Sequence, residues 1–278
     1  MVRIVSDTST LYSTTQAKEA GFTVAPLTVT IAGKTYREFD EISAEEFVAL
    51  IRQGHMPTSS QPAIGEVMAM YEQFPEDEIL NVAMADGLSG TYNSAVSAAS
   101  LCPHADKITV LNTRTVCGPH RYMVEKALEL AQKGLSVKEI VSHLEEKVAA
   151  AKSYLIPDDF DYLRRGGRLS PMVSYVGKTI KLTPVMTQTE DGCRIIAAVI
   201  RRGFHNAIKY VAEALKRREV GEGWRVYISH ADVLEKAEQM RAYLSEHLPG
   251  AIIEIYPLSP AFITQGGPGC VAVQIVPV

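Results

Sequence analysis

The sequence predicts an α/β protein of two domains. Residues 1–155 read as an N-terminal doubly wound domain on a parallel sheet, and residues 156–278 as a C-terminal α+β domain with a mixed or antiparallel sheet. Three observations carry this expectation. Short β-branched runs alternate with helix-start signals through the first half, the pattern of parallel βαβ units. The rhythm changes near residue 155, after which two strand-like runs are separated only by a turn containing Asp191-Gly192. The chain has 278 residues, enough for two modest hydrophobic cores.

In order along the chain, "RIVSD" is a short apolar run suited to a buried strand. Ser13 and Gln16 have capping-box spacing, and the helix that follows ends near Gly21. "FTVAPLTVTI" reads as one strand and "AGKTY" as a hairpin turn. Ser43 and Glu46 form a second capping box, with Gly54 closing that helix. Pro62 suits the first position of the next helix, with Ser60 as its cap. "EILNVAMAD" is a strand, "TYNSAVSAAS" a helix of small residues, "ITVLNT" a strand, and residues 119–133 a helix. Ser136 and Glu139 make a third box before a helix reaching Ala151. In the second half "DDFDYLRRGGRLS" is a short helix broken by two glycines, and "PVMTQTEDGCRIIAAVI" is a hairpin. A helix over 203–218, "WRVYISH", a helix over 232–247, "AIIEIYP" and "CVAVQIVPV" complete the chain, and "TQGGPG" reads as a tight turn.

Composition narrows the function. The formal net charge is −4 with no long block of like charge, which argues against broad nucleic-acid binding. No apolar run reaches the ~20 residues of a membrane-spanning helix, and no early stretch resembles a signal peptide, since "MVRIVSDTST" reads as a strand and loop. Cys102, Cys117, Cys193 and Cys270 are widely spaced with no CxxC, so a cytoplasmic location is expected rather than a disulfide framework. The histidines form no HxxxH or HExxH pair, so neither a metal nor a cofactor is expected.

The chemistry concentrates in "DGLSGTYNSA". Ser89, Gly90 and Thr91 fall where a strand ends and a helix begins, so free backbone N–H groups there can bind an anion, and glycine admits close approach. Ser89 as a simple helix cap, worth about 1 kcal/mol, explains the local pattern equally well. Ser89 as a nucleophile is the weaker reading. A nucleophile elbow, G-x-S-x-G, places glycine two residues after the serine, whereas Gly90 follows at once and no base can be assigned. No GxxxxGK[ST] phosphate loop is present. "PTSSQP" supplies Thr58, Ser59 and Ser60 on what could be the same rim, and "LRRGGRLS" supplies Arg168, whose guanidinium fork suits a carboxylate.

Together "VSDTST", "PTSSQP", "LSGTYNSA", "DYLRRGGRLS", "VIRRGFHNAIK" and "GGPG", in this order and across almost the whole chain, resemble the DegV family of bacterial fatty-acid-binding proteins. "SGTYNSA" and "YLRRGGRLS" are the specific motifs. The resemblance implies two α/β domains with a long-chain fatty acid (palmitate-, stearate- or oleate-like) buried between them. Its carboxylate would be held by hydroxyls of the SQP and SGTY loops, which correspond to Ser59 and Ser89. The expected carboxylate site is therefore Ser59, Ser60, Ser89, Gly90, Thr91 and Gln265, with Thr58 and Arg168 as further candidates. The resemblance also implies a non-enzymatic lipid carrier with no catalytic residue. A fatty acid kinase is a candidate partner, and transient membrane contact is compatible with such a cargo. A hydrolase or acyltransferase using Ser89 is the alternative. Three departures stand out: Ser59 replaces the family's usual threonine, Ala85 a frequent serine, and Gln265 the histidine of T-H-x-G-P-G.

Overall fold

The computed structural model describes residues 1–170 and 182–278. Its first half runs β1 (Val2–Asp7), α1 (Thr14–Ala20), β2 (Thr23–Ala25), β3 (Thr28–Ile31), β4 (Lys34–Arg37), α2 (Ala44–Arg52), β5 (Thr58–Ser60), α3 (Ile64–Tyr71), β6 (Glu78–Ala83), α4 (Thr91–Leu101), β7 (Ile108–Asn112), α5 (Cys117–Gln132) and α6 (Val137–Ala150). The second half runs β8 (Lys152–Ile156), α7 (Phe160–Gly166), β9 (Leu182–Gln188), β10 (Ile195–Arg202), α8 (Phe204–Lys216), β11 (Trp224–His230), α9 (Leu234–His247), β12 (Ile252–Pro257), α10 (Pro260–Gly266) and β13 (Val271–Pro277).

Local sequence explains most boundaries. All three capping boxes form: Ser13 with Gln16, Ser43 with Glu46 and Ser136 with Glu139 each satisfy two otherwise unpaired N–H groups at a helix start. β1, β2, β6 and β7 make a parallel sheet in the order β2-β1-β6-β7. β8 through β13 make a mixed six-stranded sheet in the order β10-β9-β8-β13-β11-β12, with the expected β9–β10 hairpin at its edge. The expected division at 155/156 falls inside β8, whose strand partners are β13 and β9 of this second sheet.

Four details depart from the expectations. "FTVAPLTVTI" forms two strands in different sheets, β2 in the parallel sheet and β3 in a small antiparallel sheet ordered β4-β3-β5. Pro26 cannot donate to a ladder, and the next N–H, that of Leu27, goes to Thr8 Oγ1 at 2.9 Å. The serine-rich segment is a strand, β5, because Thr58, Ser59 and Ser60 pair with Thr30, Val29 and Thr28. Consequently Ser60 caps nothing, and α3 starts at Ile64 behind Ala63 rather than at Pro62. Finally, Thr264, Gln265 and Gly266 belong to α10, so only the second half of "TQGGPG" is a turn.

Packing stacks these elements in layers. α3 and α4 bury Val67, Met70, Ala95 and Ala98 against one face of the parallel sheet. α5 and α6 cover its other face and reach the six-stranded sheet through Tyr227 and Val276. α8 and α9 cover the far side of that second sheet. At the junction α5 meets a buried side chain of β11: a Cβ at Gly118 would lie 2.1 Å from the Tyr227 ring, so only glycine lets α5 begin there. A separate cluster joins the small sheet and α2 to α10.

Candidate functional site

A cavity of about 440 Å³, within the range of small-molecule sites, opens where the small sheet, α4, α7, α10 and the six-stranded sheet meet. β13 builds one wall by period-2 alternation. Val271, Val273 and Ile275 pack under α8 and α9, so Ala272 and Gln274 face the cavity, with Cys270 beside them. On the neighbouring strands Leu155 stands across from Ala272 and Met186 across from Leu155, extending the apolar wall. Leu27, Met84, Val116, Leu258 and Phe262 close the other sides. Burial pushes the Cys270 thiol up to about 12 and the Cys117 thiol well above its usual range, so both remain uncharged lining.

One end of the cavity is polar. β5 alternates, so Ser59 faces opposite to its neighbours and accepts a 3.0 Å hydrogen bond from Gln265 Nε2 of α10. Ser60, Gln61, Ser89, Gly90 and Arg168 also line this region. Gly90 occupies the N-cap position of α4 with no side-chain cap, and a Cβ there would lie 1.8 Å from Gln61 Oε1. That close approach is what brings the β5 loop against the α4 N-terminus, and Ser94 Oγ secures it by donating to the Pro62 carbonyl at 3.0 Å. Ser89 sits just before the N-cap; its Oγ accepts the Thr91 N–H at 3.2 Å and pairs with Thr91 Oγ1 at 2.8 Å. Arg168 donates Nε to the Leu88 carbonyl at 3.1 Å and Nη1 to that of Gly166, and among the described residues its Nη2 has no partner.

Six of the expected site residues, Ser59, Ser60, Ser89, Gly90, Gln265 and Arg168, therefore line one cavity. Thr91 is buried behind Ser89 as its hydrogen-bond partner. Thr58 is exposed and does not line the cavity. The sequence reading missed Gln61, although it stands inside "PTSSQP", and the wall residues of β8, β9 and β13, whose only signal was a few polar residues in otherwise apolar strands.

The histidine with serine partners lies elsewhere. His120 is fully buried between Ser9 Oγ, 2.6 Å from Nδ1, and Ser6 Oγ, 3.1 Å from Nε2. The "VSDTST" segment that supplies these serines is a structural hub. Asp7 accepts the N–H groups of Ser9 and Met84, and Thr8 bonds the carboxylate of Glu38. The other oxygen of Glu38 accepts the Ala261 N–H at 2.9 Å and so anchors the start of α10. Burial pushes the Glu38 carboxyl up to about 7, against the opposing pull of its hydrogen bonds. Among the described residues no group of His, Cys, Asp and Glu could hold a metal ion, and no helix is long and apolar enough to cross a membrane.

Comparison with known proteins shows the family and the fold. The family model described as "Uncharacterised protein, DegV family" matches residues 1–278. A DegV domain-containing protein of Caldanaerobacter subterraneus subsp. tengcongensis is 32% identical over 250 residues, covering 89% of this chain and 88% of the relative. Among solved structures, a fatty-acid-binding DegV family protein of Thermus thermophilus superposes with TM-score 0.88 at 26% identity, covering 100% of this chain and 99% of that one. DegV of Bacillus subtilis, described as a fatty acid binding protein, superposes with TM-score 0.87 at 26% identity over the same shares of the two chains.

Proposed function

This chain belongs to the DegV family, and from that premise we propose that it binds one long-chain fatty acid, of the palmitate, stearate or oleate kind, as a non-enzymatic carrier. The observation that carries the reading is the asymmetry of the cavity. Hydroxyls, an amide and a guanidinium gather at one end of a space whose other walls are largely apolar. A carboxylate at that end would be received by Ser59, Ser89 and Gln265, by backbone N–H groups at the α4 N-terminus, and by the Arg168 guanidinium. Ser60 stands at the rim, and Thr91 orients Ser89. Such charge-assisted hydrogen bonds offset the cost of removing the carboxylate from water. The tail supplies affinity, since each buried methylene contributes about 0.8 kcal/mol, roughly 12 kcal/mol gross for a C16 chain, before association costs.

Among the described residues no general base is hydrogen-bonded to Ser89, which weighs against the hydrolase reading. The Ser89 hydroxyl is engaged with Thr91, while His120 is buried with Ser6 and Ser9. A carrier that yields its cargo needs a consumer, and a fatty acid kinase that phosphorylates the carboxylate is a fitting partner; brief membrane contact would load the acid. The four free thiols favour a reducing, cytoplasmic location. Denaturing extraction of the purified protein followed by mass spectrometry tests the proposal: one fatty acid per chain is expected, and protein that carries no lipid and cannot be loaded refutes it.

A further inference from the structure

The cavity has a second polar group, away from the carboxylate end. Gln274 stands directly opposite Ser153 on the β13–β8 ladder. It lies four residues beyond Cys270, about 13 Å along a strand, and Cys270 is the residue against which Gly266, next to Gln265, packs. The amide of Gln274 is fully committed. Its Oε1 accepts the Gly118 N–H at 3.3 Å, and its Nε2 donates to the Val116 carbonyl at 2.8 Å and to Ser153 Oγ at 3.0 Å. These partners fix the orientation of the amide, so Ser153 Oγ is an acceptor in that bond and its own hydrogen must go elsewhere. Among the described residues it has no acceptor. Gln188, on β9 next to β8, is oriented in the same way: Nε2 donates to the Arg114 carbonyl at 3.3 Å, and among the described residues Oε1 has no partner. Ser153 and Gln188 both line the cavity. A donor and an acceptor therefore stand unused beside the stretch that an acyl chain would occupy.

We propose that this cavity is built for a long-chain acid carrying a hydroxyl in the middle of its chain, the hydroxyl accepting from Ser153 Oγ and donating to Gln188 Oε1. The proposal rests on the fatty-acid reading and specifies its substrate class. A methylene chain laid against these two groups would leave both without partners and would displace any water that served them. A mid-chain hydroxyl replaces that water with both bonds retained. In a wholly apolar tail pocket the preference would reverse, because a buried hydroxyl without a partner is disfavoured by about tenfold or more.

The test incubates the full-length protein with equal amounts of stearate, 10-hydroxystearate and 12-hydroxystearate, then identifies the retained acids by denaturing extraction and mass spectrometry. One of the hydroxylated acids should be enriched over stearate by about fivefold or more. Ser153→Ala should collapse that ratio towards one. Gln188→Met should do the same independently, which guards against a folding defect in either variant. Stearate retained in equal or greater amount than both hydroxy acids overturns this inference while leaving the fatty-acid proposal standing. Enrichment that survives in both variants overturns it as well. Retention of none of the three acids refutes the fatty-acid proposal itself.

Discussion

Glu38 should make the stability of the fold depend on pH, and replacing it with glutamine isolates the effect. The carboxyl is fully buried, accepting from Thr8 Oγ1 on one side and the Ala261 N–H on the other. Burial raises it from the ordinary 4.5 to about 7, with the neighbouring charge of Asp7 adding to the rise. For an acid shifted upward, the folded protein keeps a proton that the unfolded chain has already released. Its contribution to stability is complete below about pH 4.5, falls as pH rises, and is exhausted above about pH 7. A difference of roughly 2.5 pH units at 1.36 kcal/mol per unit amounts to about 3 kcal/mol across that window. Glutamine has the same shape and no proton to lose, and its carbonyl can accept the Ala261 N–H while its amide donates to Thr8. Urea unfolding of wild type and Glu38→Gln at pH 4.5 and 7.5 gives four free energies. The other titrating groups cancel when the pH-driven change in the variant is subtracted from that in the wild type. The expected remainder is a wild-type loss of about 3 kcal/mol on going to the higher pH. A remainder below about 1 kcal/mol would refute the assignment of a neutral, buried carboxyl.

Two further changes address the carboxylate end of the cavity. Ser89→Ala should weaken fatty-acid retention by roughly 1.5–3 kcal/mol, one hydrogen bond to a charged group, as read by competition with a fluorescent acid. Ester hydrolysis by the wild type that disappears in Ser89→Ala would instead make this serine a nucleophile. Gln265→His replaces a neutral donor by one that gains charge below about pH 6.5, so retention relative to wild type should rise as the pH is lowered from 8 to 6. A ratio that does not move with pH would mean that position 265 does not face the carboxylate.

Much of this molecule is legible from local sequence because the deciding interactions are local. A serine and the glutamate or glutamine three residues on complete their own hydrogen bonds, so three helix starts could be read directly. The turn at Asp191-Gly192 likewise marked the β9–β10 hairpin without reference to anything distant. Motif order along the chain was enough to indicate the family, and with it Ser59, Ser89 and Gln265. What the chain could not reveal locally depends on partners far away in sequence. "PTSSQP" is a strand because residues 28–30 offer it a ladder, and no feature of its own composition says so. "FTVAPLTVTI" divides between two sheets because the Leu27 N–H finds Thr8 Oγ1 rather than a strand partner. Glu38 and Ala261 are 223 residues apart, and Gln274 meets Val116 across 158. Whether a buried carboxyl keeps its proton, or a serine keeps a hydrogen free for a ligand, depends on which donors and acceptors the fold has already used around it, and that accounting exists only once the sheets and helices have closed on one another.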